Sequence, residues 1–492
     1  MAAAAGCGGG GARPLVGGLP EGRRCEIEPA SPALTPGADL ALTVDGERLR
    51  DARGREVLLR GFNAGGRSKL PPFAPFDFDP DVPGDYAARL GPYMDALVAL
   101  GANALRVPFA WEALEPTEGA WDGAYEARYE ALLDAAAARG LRVVVDFHQD
   151  VYASPLCGDG FPRWTLPPDL AAKPPRHDCT FPSWSFPYFD PTSDVSRAFD
   201  RLWNDTDGVA DAMAAMWRRV AARFGGHPAV IGFEILNEPG QGAFSSEAFE
   251  STVLPAFYAQ MGAVIRAEAP NALLFLDGRA GDAVGMTNHL ADPRLAASVV
   301  APHYYNAVIS LGNRSPGAEL VHTQIATALA NGRAWGRPVL LGEFGVDASN
   351  PYGPEYLRQV YDALDAELAN ATQWEVSESA ELWNGEDFSL LDPSGAERPT
   401  AREAVRGYPR AVAGALASTR WDADARALDV QIDAPSGGVS VLYLPPRDYA
   451  DPPRVGVSAS GACVRWHPET GELLVRSAAS NDPLRVHVEP AP

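Results

Sequence analysis

From residue 57 onward, short apolar runs rich in β-branched residues alternate with longer stretches whose apolar positions recur every three or four residues. The short runs, at 57–62, 104–109, 142–147, 230–236, 272–276, 298–302, 338–342 and 372–376, read as buried strands. The longer stretches, at 86–100, 125–138, 209–224, 249–268, 320–330 and 356–368, read as amphipathic helices, with 282–297 the weakest of the series. This alternation predicts an α/β architecture with a parallel sheet. Eight such units over roughly 350 residues fit a (β/α)8 TIM barrel better than an open doubly wound sheet. No glycine-rich turn of the dinucleotide-binding kind follows the first strand.

The pattern changes at both ends of the chain. Residues 40–44, 48–50 and 57–60 form a short β lead-in with turns at Asp45-Gly46 and at 51–54. After Glu403 the apolar residues alternate with polar ones in short runs at 428–432, 439–444, 455–457, 463–466, 472–476 and 484–488, which predicts a small all-β sandwich. The expected organisation is a disordered tether at 1–38, a barrel domain at 39–410 and a β-sandwich module at 411–492. A long insertion after the third strand, 151–194, mixes many prolines with Trp164, Phe181, Trp184, Phe186, Tyr188 and Phe189. Loops of this length on a barrel's active face carry function.

Polar and aromatic residues gather where the strands end. Strand two carries Arg106, strand three ends in Asp146-Phe147-His148-Gln149-Asp150 and strand four ends in Asn237-Glu238-Pro239. Strand six ends in His303-Tyr304-Tyr305, strand seven in Gly342-Glu343-Phe344, and strand eight holds Trp374. Strands four and seven face each other across a barrel, so Glu238 and Glu343 approach a common ligand from opposite sides. Such a pair suits glycoside hydrolysis, and a separation of about 5 to 5.5 Å retains the anomeric configuration. Arg106 and Tyr305 are placed to keep Glu343 ionised, leaving Glu238 with a raised pKa beside that charge. Asn237 is a candidate donor to a sugar hydroxyl, and Trp374 a candidate platform for a pyranose ring.

Composition narrows the partners. A net charge of -23 argues against nucleic acid and anionic membranes and favours a neutral substrate. No HExxH, Walker, GxSxG or kinase signature is present, and Asp146, His148 and Asp150 close no metal site, so neither cofactor nor metal is expected. The five cysteines, Cys7, Cys25, Cys157, Cys179 and Cys463, form no CxxC pair. Cys157 and Cys179 bracket one loop and are a candidate disulfide if the protein is exported. The Ala-Ala-Gly-Cys run ending at Cys7 is similar to the end of a bacterial lipoprotein signal, which makes Cys7 a candidate lipid anchor and the location extracytoplasmic or secreted.

The site residues together resemble glycoside hydrolase family 5. The matching positions are Arg106 in ALRVPFAWEALEP, His148 in DFHQD, Asn237-Glu238-Pro239, His303 with Tyr305, Glu343 in LLGEFG, and Trp374. The resemblance covers about residues 40 to 410. It implies Glu238 as acid/base, Glu343 as nucleophile and a retaining mechanism without a cofactor. Within the family the chain looks most like the endoglycoceramidase-related branch, on DFHQDVY, GDGFPRW, Lys69, LWNGEDFSLLD and VRGYPRAVAG. That branch implies a barrel with an appended sandwich that splits glycan from ceramide. The expected assembly is a monomer with peripheral membrane contact. It also implies Asp150 and Lys69 on the sugar, and the Trp164 loop near the lipid. The segment 166–189 departs from the branch in its length and its cysteines, which leaves glucosylceramide, steryl glucosides and soluble β-glucans or mannans as alternative substrates. A catalytically inactive glycan- or lipid-binding barrel is the alternative from outside enzymology.

Overall fold

The computed structural model describes residues 19–27, 40–312 and 314–491. Cys7 lies outside these residues, as does most of the expected tether. Eight parallel strands form the centre: β1 (Arg60–Asn63), β2 (Ala104–Phe109), β3 (Arg142–Phe147), β4 (Val230–Glu234), β5 (Leu273–Leu276), β6 (Ser298–Val300), β7 (Leu340–Leu341) and β8 (Asn370–Gln373). Hydrogen bonding runs β6–β5–β4–β3–β2–β1–β8–β7. A parallel bridge between Val300 and Val339 joins the two ends, so the sheet closes into the barrel that the alternating pattern predicts.

The helices follow their apolar periodicity closely, at Asp85–Ala99, Gly123–Ala137, Val209–Phe224, Leu254–Glu268, Ala318–Ala328 and Gly353–Ala366. The weak stretch after β5 holds only the single turn Ala280–Ala283. Beyond β6 and β7 the chains pair once more, His303–Tyr304 against Glu343–Phe344, with His303 directly opposite Glu343. This short extension brings the two strand-end motifs into register at the mouth.

The barrel is filled in two levels. Near the strands' N-terminal ends Ala104, Val144, Ile231, Leu273, Phe275, Val299 and Leu340 form an apolar plug, into which Leu42, Leu49 and Ala411 pack from outside the barrel. Nearer the C-terminal ends the interior holds Arg106, Asp146 and Glu234, all fully buried. Charge inside a barrel is tolerated only when paired, which directs attention to that level.

The two ends of the chain share one β-module. Leu42–Asp45, Arg48–Asp51 and Glu56–Val57 form one side of an eight-stranded sheet whose remainder comes from Tyr408–Val412, Val439–Tyr443, Glu472–Arg476, Cys463–His467 and Arg23–Arg24. A four-stranded sheet of Ala415–Asp422, Ala427–Asp433, Leu484–Glu489 and Arg454–Val457 completes the module. The β lead-in expected to belong to the barrel domain therefore hydrogen-bonds into the C-terminal module, and the boundary expected at 410/411 falls inside the strand Tyr408–Val412. Part of the expected tether is also built in: Arg23–Arg24 pair with Cys463–Val464, and a Cys25–Cys463 disulfide fastens them. Tyr408 Oη donates to Gly101 O at 2.9 Å, which docks the module against the loop entering β2 at the barrel's N-terminal end. The chemistry at the opposite face is left open.

Candidate active site

Arg106 organises the mouth. Its Nε and Nη2 donate to both Glu234 oxygens at 2.8 and 2.6 Å, its Nη1 to Asn63 Oδ1 at 2.9 Å and to Glu343 Oε1 at 2.6 Å, and its Nη2 to Asn237 Oδ1 at 2.7 Å. Asp146 lies 3.1 Å from the same Nη2. A planar guanidinium with five fixed donors can hold β1, β3, β4 and β7 at once in this way, and a lysine cannot. Removing it would strand several buried carboxylates, a loss on the order of 3–5 kcal/mol.

Glu238 and Glu343 meet across His303. Its Nδ1 lies 2.9 Å from Glu238 Oε1 and 3.6 Å from Glu343 Oε2, and the ligating atoms of all three residues fall within 4.8 Å of one another. Tyr305 Oη donates to Glu343 Oε2 at 2.8 Å. Burial holds the Glu238 carboxyl above its ordinary range, and the negative charges of Glu343 and Asp150 add to burial against the pull of His303. Burial acts upward on Glu343 too, but the positive charges of His303, Arg106 and His148 outweigh it and its carboxyl sits below its ordinary value. Two adjacent carboxyls thus differ in the direction of their shift, which is the arrangement that separates a proton donor from an ionised partner.

The backbone at Glu238 is held against strain. Its φ is 37°, a conformation costing about 1–3 kcal/mol that persists only when its surroundings enforce it. Asp277 Oδ2 accepts the Glu238 N–H at 2.9 Å, and Gln149 Nε2 donates to Glu238 O at 3.0 Å and to Asn237 O at 2.8 Å. Tyr188, from the long insertion, accepts the Val151 N–H at 2.6 Å and lies 3.3 Å from Gln149 Nε2. The insertion is therefore wired to the peptide that carries Glu238.

A second polar group lines the other side of the mouth. Lys69 Nζ is 2.6 Å from Asp150 Oδ2 and 3.1 Å from Glu386 Oε1, and lies 4.5 Å from the Trp374 ring centre and 4.2 Å from that of Trp383. Trp374 Nε1 donates to the same Glu386 oxygen at 3.0 Å. His148 stacks on Trp374 at 5.0 Å and meets Asp146 Oδ2 at 2.8 Å. Burial disfavours the His148 cation, but Asp146 and Asp150 overcome this and push its pKa up to about 10. Trp164 is placed differently: it packs edge-on against Trp111 at 5.2 Å and gives its indole N–H to Glu115 O at 3.0 Å.

The comparisons with known proteins place this site in a family. Residues 54–380 match cellulase (glycosyl hydrolase family 5). The chain belongs to that family. It is 27% identical over 421 residues to endoglycoceramidase I of Rhodococcus hoagii (strain 103S), covering 80% of this chain and 76% of the relative. The structure of endo-glycoceramidase II from a Rhodococcus species in complex with ganglioside GM3 aligns with a TM-score of 0.75 at 27% identity, covering 91% of this chain and all of that one. A glucosylceramidase of Aspergillus fumigatus is 32% identical over 146 residues, 26% of this chain and 18% of that protein. The chain is a family 5 glycoside hydrolase with an endoglycoceramidase-like fold.

Within this family 5 site, Arg106, His148, Asn237, Glu238, His303, Tyr305, Glu343 and Trp374 converge at the strand ends, and Lys69 and Asp150 join them from adjacent loops. Glu234, Asp277 and Glu386 belong to the site and are absent from the strand-end reading. Glu234 had a signal, a charged residue inside an otherwise apolar strand, and Asp277 directly follows the fifth run. Glu386 lies in a loop within the LWNGEDFSLLD run that marks the branch, but that run does not by itself give the residue a role. Among the described residues three groups have metal-ligating spacing, His148 with Asp150 and Asp159, Glu234 with Asp277 and His303, and Glu238 with His303 and Glu343. In each, Lys69 or Arg106 already contacts a carboxylate where a cation would bind.

Proposed function

We propose that the protein is a retaining β-glycosidase that cleaves the bond between a sugar and the ceramide of a glycolipid. In the first step the Glu343 carboxylate attacks the anomeric carbon, the bond from that carbon to the aglycone oxygen breaks, and the Glu238 proton passes to the departing oxygen. In the second, Glu238 removes a proton from water, the water oxygen bonds to the anomeric carbon, and Glu343 leaves as the carboxylate. The observation that carries this reading is the short Glu238–Glu343 spacing together with their opposite pKa shifts. Asn237 Nδ2 donates to Gln149 O at 3.0 Å, leaving a second N–H for the sugar's 2-hydroxyl. Trp374 is 1% exposed, with His148 stacked on it and Lys69 over its ring, so it backs the sugar site by holding Lys69, His148 and Glu386, which with Asp150 meet the sugar's hydroxyls.

The ceramide assignment rests on the relatives named above and on apolar exposure near the mouth. Phe181, Phe186 and Phe189 of the insertion are 48%, 61% and 37% exposed and offer a surface for peripheral contact with lipid. The Cys157–Cys179 and Cys25–Cys463 disulfides favour an extracytoplasmic location. No helix among the described residues is long and apolar enough to cross a membrane.

The test is to incubate the protein with glucosylceramide in detergent micelles, identify the released sugar by mass, and follow its anomer by NMR. Wild-type enzyme is expected to release the β-anomer first. Glu343→Ala is expected to lose at least about 10³-fold in kcat and to regain turnover with azide as an α-glycosyl azide. An unchanged kcat in that variant, or first release of the α-anomer, overturns the assignment.

A further inference from the structure

Behind Lys69 two separate loops are locked together through one side chain. Asn384 donates from Nδ2 to Cys157 O at 2.8 Å and accepts at Oδ1 from the Cys179 N–H at 2.9 Å, so its amide touches both halves of the Cys157–Cys179 disulfide. Its own N–H donates to His177 O at 2.8 Å. Asn384 has a φ of 50°, in the left-handed region that asparagine tolerates better than most residues. It sits in the turn Trp383–Gly385, between the Trp383 ring that lies over Lys69 and the Glu386 carboxylate that Lys69 and Trp374 share.

These contacts close one end of the site. The Lys69 side chain is 4% exposed, sandwiched between Trp374 and Trp383, and Trp383 is 2% exposed. Trp184, from the disulfide-clasped insertion, packs edge-on against Trp383 at 5.0 Å and backs it from outside. Glu386, by contrast, keeps 18% of its side chain exposed. A pyranose with its anomeric carbon between Glu238 and Glu343 would meet Glu386, Asp150 and Lys69 as the polar groups on the Trp374 side of the mouth. The next sugar of a longer glycan would have to pass the edge-to-face pair of Trp383 and Trp184 rings.

We propose that Asn384, by tying the Cys157–Cys179 disulfide to the Trp383–Glu386 turn, is a positioning residue for a wall that closes the site behind Lys69 and limits the glycone to a single terminal sugar. This rests on the glycosidase reading above and specifies its substrate: a monoglycosylated lipid, with the bulk of the substrate on the aglycone side. The same wall answers to thiol reductants, because opening the Cys157–Cys179 bond frees both chain segments that Asn384 holds.

The test compares wild type, Asn384→Gly and Asn384→Asp on glucosylceramide and lactosylceramide in the same micelles, with kcat, KM and the mass of the released sugar measured for each. Glycine keeps the left-handed turn and removes both side-chain bonds, whereas aspartate keeps only the acceptor that Cys179 uses. Wild type is expected to release glucose from glucosylceramide and to use lactosylceramide at least about tenfold less well in kcat/KM. Asn384→Gly is expected to raise KM for glucosylceramide about tenfold with kcat little changed, and to improve on lactosylceramide with release of intact lactose, as the loss of two hydrogen bonds allows. Asn384→Asp falls between, and wild type treated with a phosphine reductant moves in the same direction as Asn384→Gly. Thermal melting of each sample identifies simple unfolding, which lowers activity on both lipids and cannot create a gain on one. Comparable wild-type use of both lipids, or unchanged KM and discrimination in Asn384→Gly, overturns the wall and leaves the glycosidase intact. Failure of the wild type to hydrolyse either lipid overturns the glycosidase reading and the wall with it.

Discussion

His303 Nδ1 lies 2.9 Å from Glu238 Oε1 and 3.6 Å from Glu343 Oε2, so one imidazole serves both carboxyls of the pair. Burial works against its cation, yet Asp277, Glu343 and Glu238 push its pKa up to about 10. A positive charge here lowers the pKa of each carboxyl. Activity requires Glu343 ionised and Glu238 protonated, so the rising limb of the pH profile follows Glu343 and the falling limb follows Glu238. Replacing His303 by Asn removes the charge, and both pKa values rise. The whole bell in kcat/KM is expected to move to higher pH by on the order of one unit, with a loss of about 10²-fold at its peak. A profile that shrinks without moving would show that His303 acts on neither proton.

The barrel was legible because its strands are buried on both sides and its helices on one, which writes two different periods into the sequence. The residues that converge at the mouth were legible for a related reason: Glu238 and Glu343 stand where apolar runs stop, and a barrel puts every such end on one face. Long-range pairing left no trace of this kind. Nothing local in 42–57 shows that these strands join Tyr408–Val412, and nothing local at Cys25 points to Cys463. Glu386 and Asn384 escaped for the same reason, since their roles come from residues more than 200 positions away, such as Lys69 and Cys157. Trp164 is tied across loops instead: its ring packs on Trp111 and its N–H is given to Glu115 O, both in the segment that follows β2, while the side chain stays partly exposed.

Glu375 gives a pH-dependent stability that is separate from the pH profile of turnover. It follows Trp374, is 2% exposed, and accepts the Gly66 N–H and the Ser377 hydroxyl. Burial first, and the charge of Glu386 next, push its pKa up to about 8 against the opposing Ser377 hydrogen bond. A carboxyl whose pKa is raised by folding leaves stability intact below its unfolded value near 4.5, and stability is lost as pH climbs toward 8. Glutamine keeps the acceptor and never ionises. Glu375→Gln is therefore expected to melt with the wild type near pH 4 and above it near pH 9, by up to roughly 4 kcal/mol in denaturant titrations. A gap that stays constant with pH would mean that folding leaves the Glu375 pKa unshifted.

The Cys25–Cys463 disulfide tests how far the chemistry depends on the β-module. It links residues 438 positions apart and pins a segment that also has its own bonds, Arg23 N–H to Ala462 O at 3.0 Å and Gly22 N–H to Val455 O at 2.8 Å. Ile27, 1% exposed, packs against Val441 and Leu474 just beyond it. The nearby Arg465–Glu26 pair is exposed at its carboxylate and adds little. The disulfide chiefly restricts the unfolded chain, and its loss is expected to cost about 2–5 kcal/mol. The module docks at the barrel's N-terminal end, through Tyr408 to Gly101, whereas Glu238 and Glu343 stand at the other end. Cys25→Ser is thus expected to lower the melting temperature and to make the segment around Arg23-Arg24 the first site of tryptic cleavage, while kcat at 25 °C stays within about twofold of wild type. A matching fall in kcat would mean instead that the module transmits its packing through the apolar plug of Leu42, Leu49 and Ala411 to the charged level around Arg106.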